Sequence, residues 1–221
     1  MKVNRSVIAR AGLKLLNRVG LERLTLRLLG SELKIQAPTL YWHFKSKEEL
    51  LDEMATLVLA DGAPLLAPAR QSGDWTVWAK TFGTGLRKAL LEYRDGARMV
   101  SGTRLTNTEY MKTAERAGSK LVASGFTVRE AVVLLSTIYN FTLSFVMEEQ
   151  AVYPRRGERS REYDVAKRNE KLDARELPLL RKAGAILFEN FDRRYKEGLA
   201  LIVSGAQPAR RRRTRRDRGS R

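Results

Sequence analysis

The chain has 221 residues, 43% of them hydrophobic, which is enough for one large domain or two modest ones with a buried core. It contains no cysteine and a single histidine, His43, so disulfides, thiolate nucleophiles and zinc sites with sulfur ligands are excluded. The formal net charge of +17 suits any polyanion, but it is unevenly placed: +6 in the first fifty residues, +7 in the final RRRRTRRDRGSR, and only +4 in the 159 residues between.

No run approaches the roughly 18 consecutive apolar residues of a membrane span, and the opening MKVNRSVIAR lacks the apolar block of a signal peptide. The expected compartment is therefore the cytoplasm, with no membrane partner. In chain order, Ile8, Ala11, Leu15, Leu16 and Val19 share one helical face. They predict a first helix over 5–19, closed by Gly20 in a left-handed cap. Thr25 is placed to cap a second helix that buries Leu26, Leu29 and Leu33. Lys34, Ile35 and Gln36 then make a three-residue turn into a short third helix with Pro38 near its start, where a missing N–H is harmless. Ser46 and Glu49 form a Ser-x-x-Glu capping box that opens a fourth helix through Leu50, Leu51, Met54, Leu57 and Val58.

A Gly-, Pro- and Ala-rich break over 61–74 precedes a larger helical body, with helices predicted at 75–93, 107–122, 128–152 and 179–203. The segment 128–147 is apolar on almost every side, so it is either central or sandwiched between its own body and another chain. The polar stretch 154–176 reads as a loop with one or two helical turns, and everything from Gln207 onward reads as disordered. The fold class is all-α. The expected division is a helix-turn-helix domain over 1–46, a connector helix over 47–63, a larger helical domain over 64–205 and an arginine-rich tail over 206–221.

The third helix carries the chemistry. Leu40 and Phe44 are four apart and point inward, leaving Thr39, Tyr41, Trp42 and His43 largely outside. Such a density of surface aromatics signals a partner, and double-stranded DNA fits it. Thr39 and Tyr41 can donate to phosphates, Trp42 and Pro38 offer apolar surface to thymine methyls and sugars, Arg27 can reach a guanine edge, and Lys47 adds a phosphate contact. The competing reading makes Tyr41 and Trp42 packing residues of a small core. His43 has no second ligand with which to hold a metal.

The string APTLYWHFKSKEELLDEMA, preceded by GLERLTLRLLGSEL, resembles the DNA-binding domain of the tetracycline repressor (TetR) family. ALLEYRDGARMVSGTR, GFTVREAV and FTLSFVMEEQ extend the resemblance into that family's body. It implies a homodimer whose two heads enter successive major grooves, with dimer contacts from the helices at 128–152 and 179–203 and an inducer cavity in the body. Arg27, Pro38, Thr39, Tyr41, Trp42, His43 and Lys47 occupy positions the family uses on operator DNA. Ala37 stands where the tetracycline repressor has a glutamine, and Leu26 where it has a threonine, which implies a different operator. Lys34 replaces a glycine common in the turn, a change expected to cost about 1 kcal/mol if the position has positive φ.

The family holds tetracycline as a magnesium chelate, partly through histidine. Here Ala63 and Val100 align with the two pocket histidines, and Phe82, Leu86 and Arg116 replace other polar or aromatic positions. Only Thr103 and Glu148 resemble the original set. The expectation is a pocket without metal or cofactor, lined by Trp75, Trp78, Phe82, Leu86, Val100, Thr103, Arg116, Tyr139 and Glu148, that accepts a small apolar or aromatic effector. Trp75, Trp78 and Tyr139 have core packing as their alternative role, and Arg116 matters only if it faces inward. The arginine tail is either a solvated end or a second hold on DNA. The leading function is an effector-released transcriptional repressor on a palindromic operator, with an efflux gene as its target. The alternatives are an activator, an effector-independent regulator, a drug-sequestering protein or a helical enzyme.

Overall fold

A computed structural model describes residues 4–62, 73–107, 109–155, 157–206 and 208, apart from the side chains at 109, 110 and 113. The break at 63–72, including Ala63, and nearly all of the arginine tail lie outside the described residues. Among those described, every regular element is helical.

Four helices build the head: α1 (Arg5–Val19), α2 (Leu26–Leu33), α3 (Ala37–His43) and α4 (Lys47–Gly62). Asn4 caps α1 by accepting from the Val7 N–H at 2.9 Å. Gly20 ends α1 with φ 81° as expected, but its ψ of 168° is extended rather than left-handed helical. At α4 the expected capping box is shifted by one residue. Glu49 N–H donates to Ser46 Oγ at 3.3 Å, while the Glu49 carboxylate accepts from the Lys45 N–H at 2.9 Å instead of reaching Ser46. Gly12 lets α1 lie against α4, since a Cβ there would stand 2.9 Å from Met54 Sδ.

Lys34 has φ 54° and ψ 39°, and the α2 terminus closes around it through Ile35 N–H to Gly30 O at 3.1 Å. A β-carbon in this left-handed conformation is strained. Lys34→Gly should therefore stabilise the chain by about 1 kcal/mol, seen as a higher denaturant midpoint with unchanged slope.

The body contains α5 (Trp75–Leu91), α6 (Gly96–Val100), α7 (Glu109–Ala123), α8 (Val128–Val152), a 3-10 turn (Arg161–Tyr163), α9 (Val165–Glu170), α10 (Pro178–Phe188) and α11 (Phe191–Gly205). The helix expected at 179–203 is divided. Asn190 takes φ 50°, breaking it into α10 and α11 although apolar periodicity runs across the break. The short α6 has no counterpart in the sequence reading, being a single turn set between Asp95 and Ser101.

Helix α8 organises the body, packing along α5 and touching α6, α7 and α11. By length and composition it is apolar enough to cross a membrane, with mean hydropathy 1.5 over its best window. The residue count in the sequence reading did not register this, because serines, threonines and an asparagine interrupt the run. Packing accounts for the composition: Leu143 and Val146 join the apolar cluster that runs from the head through α4 into the body, while Leu134, Ile138 and Phe145 join a second cluster with α5 and α11. The remaining face leaves Val128, Val132 and Val133 exposed.

Two buried polar groups fix α8 against its neighbours. Arg87 on α5 makes a bidentate pair with Glu149 at 2.8 and 2.7 Å, adds Asp192 at 2.5 Å, and lies 5.1 Å from the centre of the Tyr195 ring. Burial works against the charge on Arg87, but the bonds to Glu149 and Asp192 outweigh it and leave its pKa raised. Thr142 donates to the Ile138 carbonyl at 2.7 Å, so the 2.8 Å contact with Tyr195 must use the tyrosine proton. Burial pushes the Tyr195 phenol up to about 12. A group whose folded pKa lies above its unfolded value of about 10 contributes stability that is intact below pH 10 and lost as pH rises through 12, at most about 2–3 kcal/mol. Tyr195→Phe should remove that share of the alkaline destabilisation, measured as the difference in urea midpoint between pH 9 and pH 12.

Candidate nucleic-acid interface and effector pocket

The head presents one helix to solvent in an unusual way. On α3 only Leu40 is buried, and Phe44, its C-terminal cap, is fully enclosed behind it. Ala37, Pro38 and Thr39 are exposed, Tyr41 is 49% exposed and Trp42 is 75% exposed. The packing alternative for Trp42 therefore does not describe this fold. His43 is half-buried and meets the Trp42 ring edge-on at 4.8 Å. Arg27 on α2 is exposed, and its guanidinium has no polar partner among the described residues. Lys47 departs from the expectation of a free phosphate ligand, because its ammonium donates to the Leu21 carbonyl at 2.8 Å and keeps two donors for other work.

The sequence reading missed Arg5. Its guanidinium donates to the His43 carbonyl, lies 4.3 Å from the centre of the Phe44 ring, and faces Glu53 at 3.7 Å and Glu49 at 4.0 Å. It thereby ties the start of α1 to the end of α3, a link across 38 residues that no local motif announces. Arg10 does similar work at the other end of α4, pairing bidentately with Asp61 at 2.9 and 3.1 Å.

Residues 8–54 match the family described as bacterial regulatory proteins, tetR family, and residues 67–209 match the tetracyclin repressor-like, C-terminal domain. The chain belongs to the TetR family. It is 39% identical over 205 residues to the tetracycline repressor protein class A from transposon 1721 of Escherichia coli, covering 92% of this chain and 90% of that one. A possible TetR family transcriptional regulator from Streptomyces coelicolor A3(2) superposes with TM-score 0.80 at 31% identity, over 91% of this chain and 98% of that one. A variant of the TetR of Acinetobacter baumannii AYE, in complex with minocycline, superposes with TM-score 0.69 at 33% identity, over 92% and 96%. The chain is thus a TetR-family transcriptional regulator whose N-terminal part is a DNA-binding helix-turn-helix, and α3 there turns Tyr41 and Trp42 to solvent.

In the TetR-family body the expected pocket residues divide between two places. Trp78 is buried and stacks on Phe82 at 5.5 Å, and Trp75 meets Phe126 edge-on at 4.8 Å, all within the α5–α8–α11 cluster. Leu86, Val100 and Tyr139 belong to the other cluster, nearer the head, where burial raises the Tyr139 pKa. Thr103 donates to the Val100 carbonyl at 2.7 Å. Two positions differ from an inward role. Arg116 is exposed on α7, and Glu148 is exposed at the far side of α8, where Arg194 pairs with it at 3.4 Å. Their helical phase on α7 and α8 turns them outward, so they do not pair with each other inside a cavity. Among the described residues no group of three or more His, Cys, Asp or Glu side chains is placed to hold a metal.

The contacts next to Thr103 were not legible in sequence. Thr56, fully buried on α4, accepts from the Thr106 N–H at 2.9 Å, and Asp52 accepts from the Arg104 N–H at 2.7 Å. The segment after α6 is thereby latched to the connector helix that carries the head.

Proposed function

We propose that this chain is a homodimeric repressor that binds a palindromic operator in the cytoplasm and is released by a small, largely apolar or aromatic effector such as a drug or secondary metabolite, with an efflux gene as its target. The observation that carries the reading is the outward set Thr39, Tyr41 and Trp42 on a helix whose Leu40 and Phe44 are buried. Two such heads reach successive major grooves only from a symmetric pair. Support for the pair comes from exposed Val128, Val132 and Val133 on α8, Leu179 and Ile186 on α10 and Leu201 on α11, large apolar side chains open to water on the segments from which the family resemblance draws the dimer contacts.

The effector side rests on chemistry. The relative from A. baumannii was solved with minocycline. The sole histidine of this chain lies on α3, so the body offers a chelated metal no imidazole, and Val100 in place of a ligand favours an apolar occupant. The proposed wall keeps Trp75, Trp78 and Phe82 from one apolar cluster and Leu86, Val100 and Tyr139 from the other, with Thr103 beside Val100.

Footprinting on the DNA upstream of the gene, with a panel of aromatic antibiotics with and without magnesium, tests the reading. The expected result is protection of two half-sites about one helical repeat apart, abolished by an aromatic compound without need of the metal. Equal affinity for scrambled DNA would replace the reading with non-specific coating. Val133→Arg should leave the fold intact, since the side chain is exposed in the single chain, and should shift sedimentation toward the monomer; an unchanged dimer would remove this face from the interface.

A further inference from the structure

A groove of about 760 Å³ opens along the seam between head and body, and none of the nine expected pocket residues lines it. Its walls come from four separate stretches: Asn17 at the end of α1, Lys88, Tyr93 and Arg94 on α5 and in the turn after it, Tyr153 and Arg155 after α8, and Asp192 on α11. The seam is held by Arg94 N–H donating to Asn17 Oδ1 at 2.7 Å and Leu21 N–H donating to Asp95 at 2.9 Å.

Charge in the groove is sorted by position. Arg87 also lines it but is consumed by Glu149 and Asp192, and Lys196 stands 3.8 Å from Asp192, so that corner is neutral overall. The other cations are poorly matched. Arg94 and Arg155 both aim at the single carbonyl of Arg18, at 3.5 and 3.4 Å, too far for strong bonds. Arg155 has a carboxylate only at 3.8 Å, in Glu158, while Arg94 and Lys88 have no ion-pair partner among the described residues. Glu92 is the one remaining carboxylate on the wall. Guanidinium forks set at long range on one neutral carbonyl keep donors for a carboxylate, whose two coplanar oxygens match the fork bidentately.

We propose that this groove is a second small-molecule site that takes a planar aromatic anion. Its anionic group is held by Arg94 and Arg155 with Lys88 at the rim, and its ring lies between Tyr93 and Tyr153. The volume lies within the usual range of such sites, about 300–1,000 Å³. The occupant touches head and body together. None of the residues expected in the apolar effector pocket lines this site, and its test needs neither that pocket nor operator DNA.

The test is calorimetric titration of the full-length chain with salicylate and, separately, with its uncharged analogue salicylamide. Saturable binding of salicylate at one site per chain is expected, with salicylamide weaker by about tenfold or more. Arg94→Gln with Arg155→Gln should lower salicylate affinity by a similar factor, as should Lys88→Gln in smaller measure; the Lys88 ammonium has no polar partner among the described residues, so its loss should leave the fold intact. A control that removes equal charge elsewhere, Lys80→Gln with Arg129→Gln, should change it by less than about twofold. Equal binding of salicylamide, equal losses in the control pair, or no loss in the Arg94 and Arg155 pair would each overturn the proposal, the second by showing only diffuse attraction to a basic surface.

Discussion

Trp42→Ala is expected to weaken operator binding by about 10- to 100-fold, or about 1.4–2.8 kcal/mol, while the head stays folded. The two halves of this expectation rest on one fact. Trp42 is 75% exposed, so truncating it removes little packing from the chain itself, whereas Leu40 and Phe44 on the same helix are enclosed. A large rigid aromatic on a reading helix buries much area at low entropic cost when it meets a groove, which is why such residues dominate interfaces. Its edge contact with His43 at 4.8 Å further limits the ring's freedom before binding. Fluorescence anisotropy on a labelled operator at fixed salt reads the first half, and thermal unfolding reads the second. An unfolded head would mean that Trp42 packs within its own chain after all, and affinity within about twofold of the parent would mean that it does not meet DNA.

Glu149→Ala should destabilise the chain by about 3–5 kcal/mol, a large part of the 5–15 kcal/mol typical of a folded domain. Arg87 and Glu149 are only 11% and 12% exposed, so removing the carboxylate strands a guanidinium beneath α8 with one remaining partner, Asp192, whose side chain is 74% exposed. The penalty reflects an uncompensated buried charge more than the strength of the pair. Accordingly, the double change Arg87→Met with Glu149→Leu should recover most of the loss, since apolar replacements of similar volume need no partner. Denaturant unfolding of the two single variants and the double variant gives the coupling directly. Additive losses would show that the pair does not act as a unit.

Much of this protein was legible locally. The bounds of α1 and the start of α2 follow from Gly20 and Thr25, and α8 spans 128–152 as its apolar run requires, sealed at its N-terminus by Thr127 and Glu130 in a reciprocal capping box. These signals act within four residues, where hydrogen-bonding reach and helical period are set by the chain itself. The outward face of α3 was legible for the same reason, because Leu40 and Phe44 fix which side turns inward.

What sequence alone determined, then, is the helical architecture, the capped ends, the family and the side of α3 that faces outward. Tertiary structure alone decided the rest. Helical period continues through Glu189 and Asn190, but the chain turns at a left-handed Asn190, so that α10 packs against α9 while α11 packs against α5 and α8. Arg116 and Glu148 were turned outward by the phase of whole helices. Arg5 on Phe44, Arg87 on Glu149, and the seam where Asn17 and Arg18 meet Arg94 and Arg155 join residues 38 to 137 positions apart. The physical reason is range: a cap or a stripe is settled by neighbours along the chain, whereas a buried charge or a groove exists only where distant segments exclude water together.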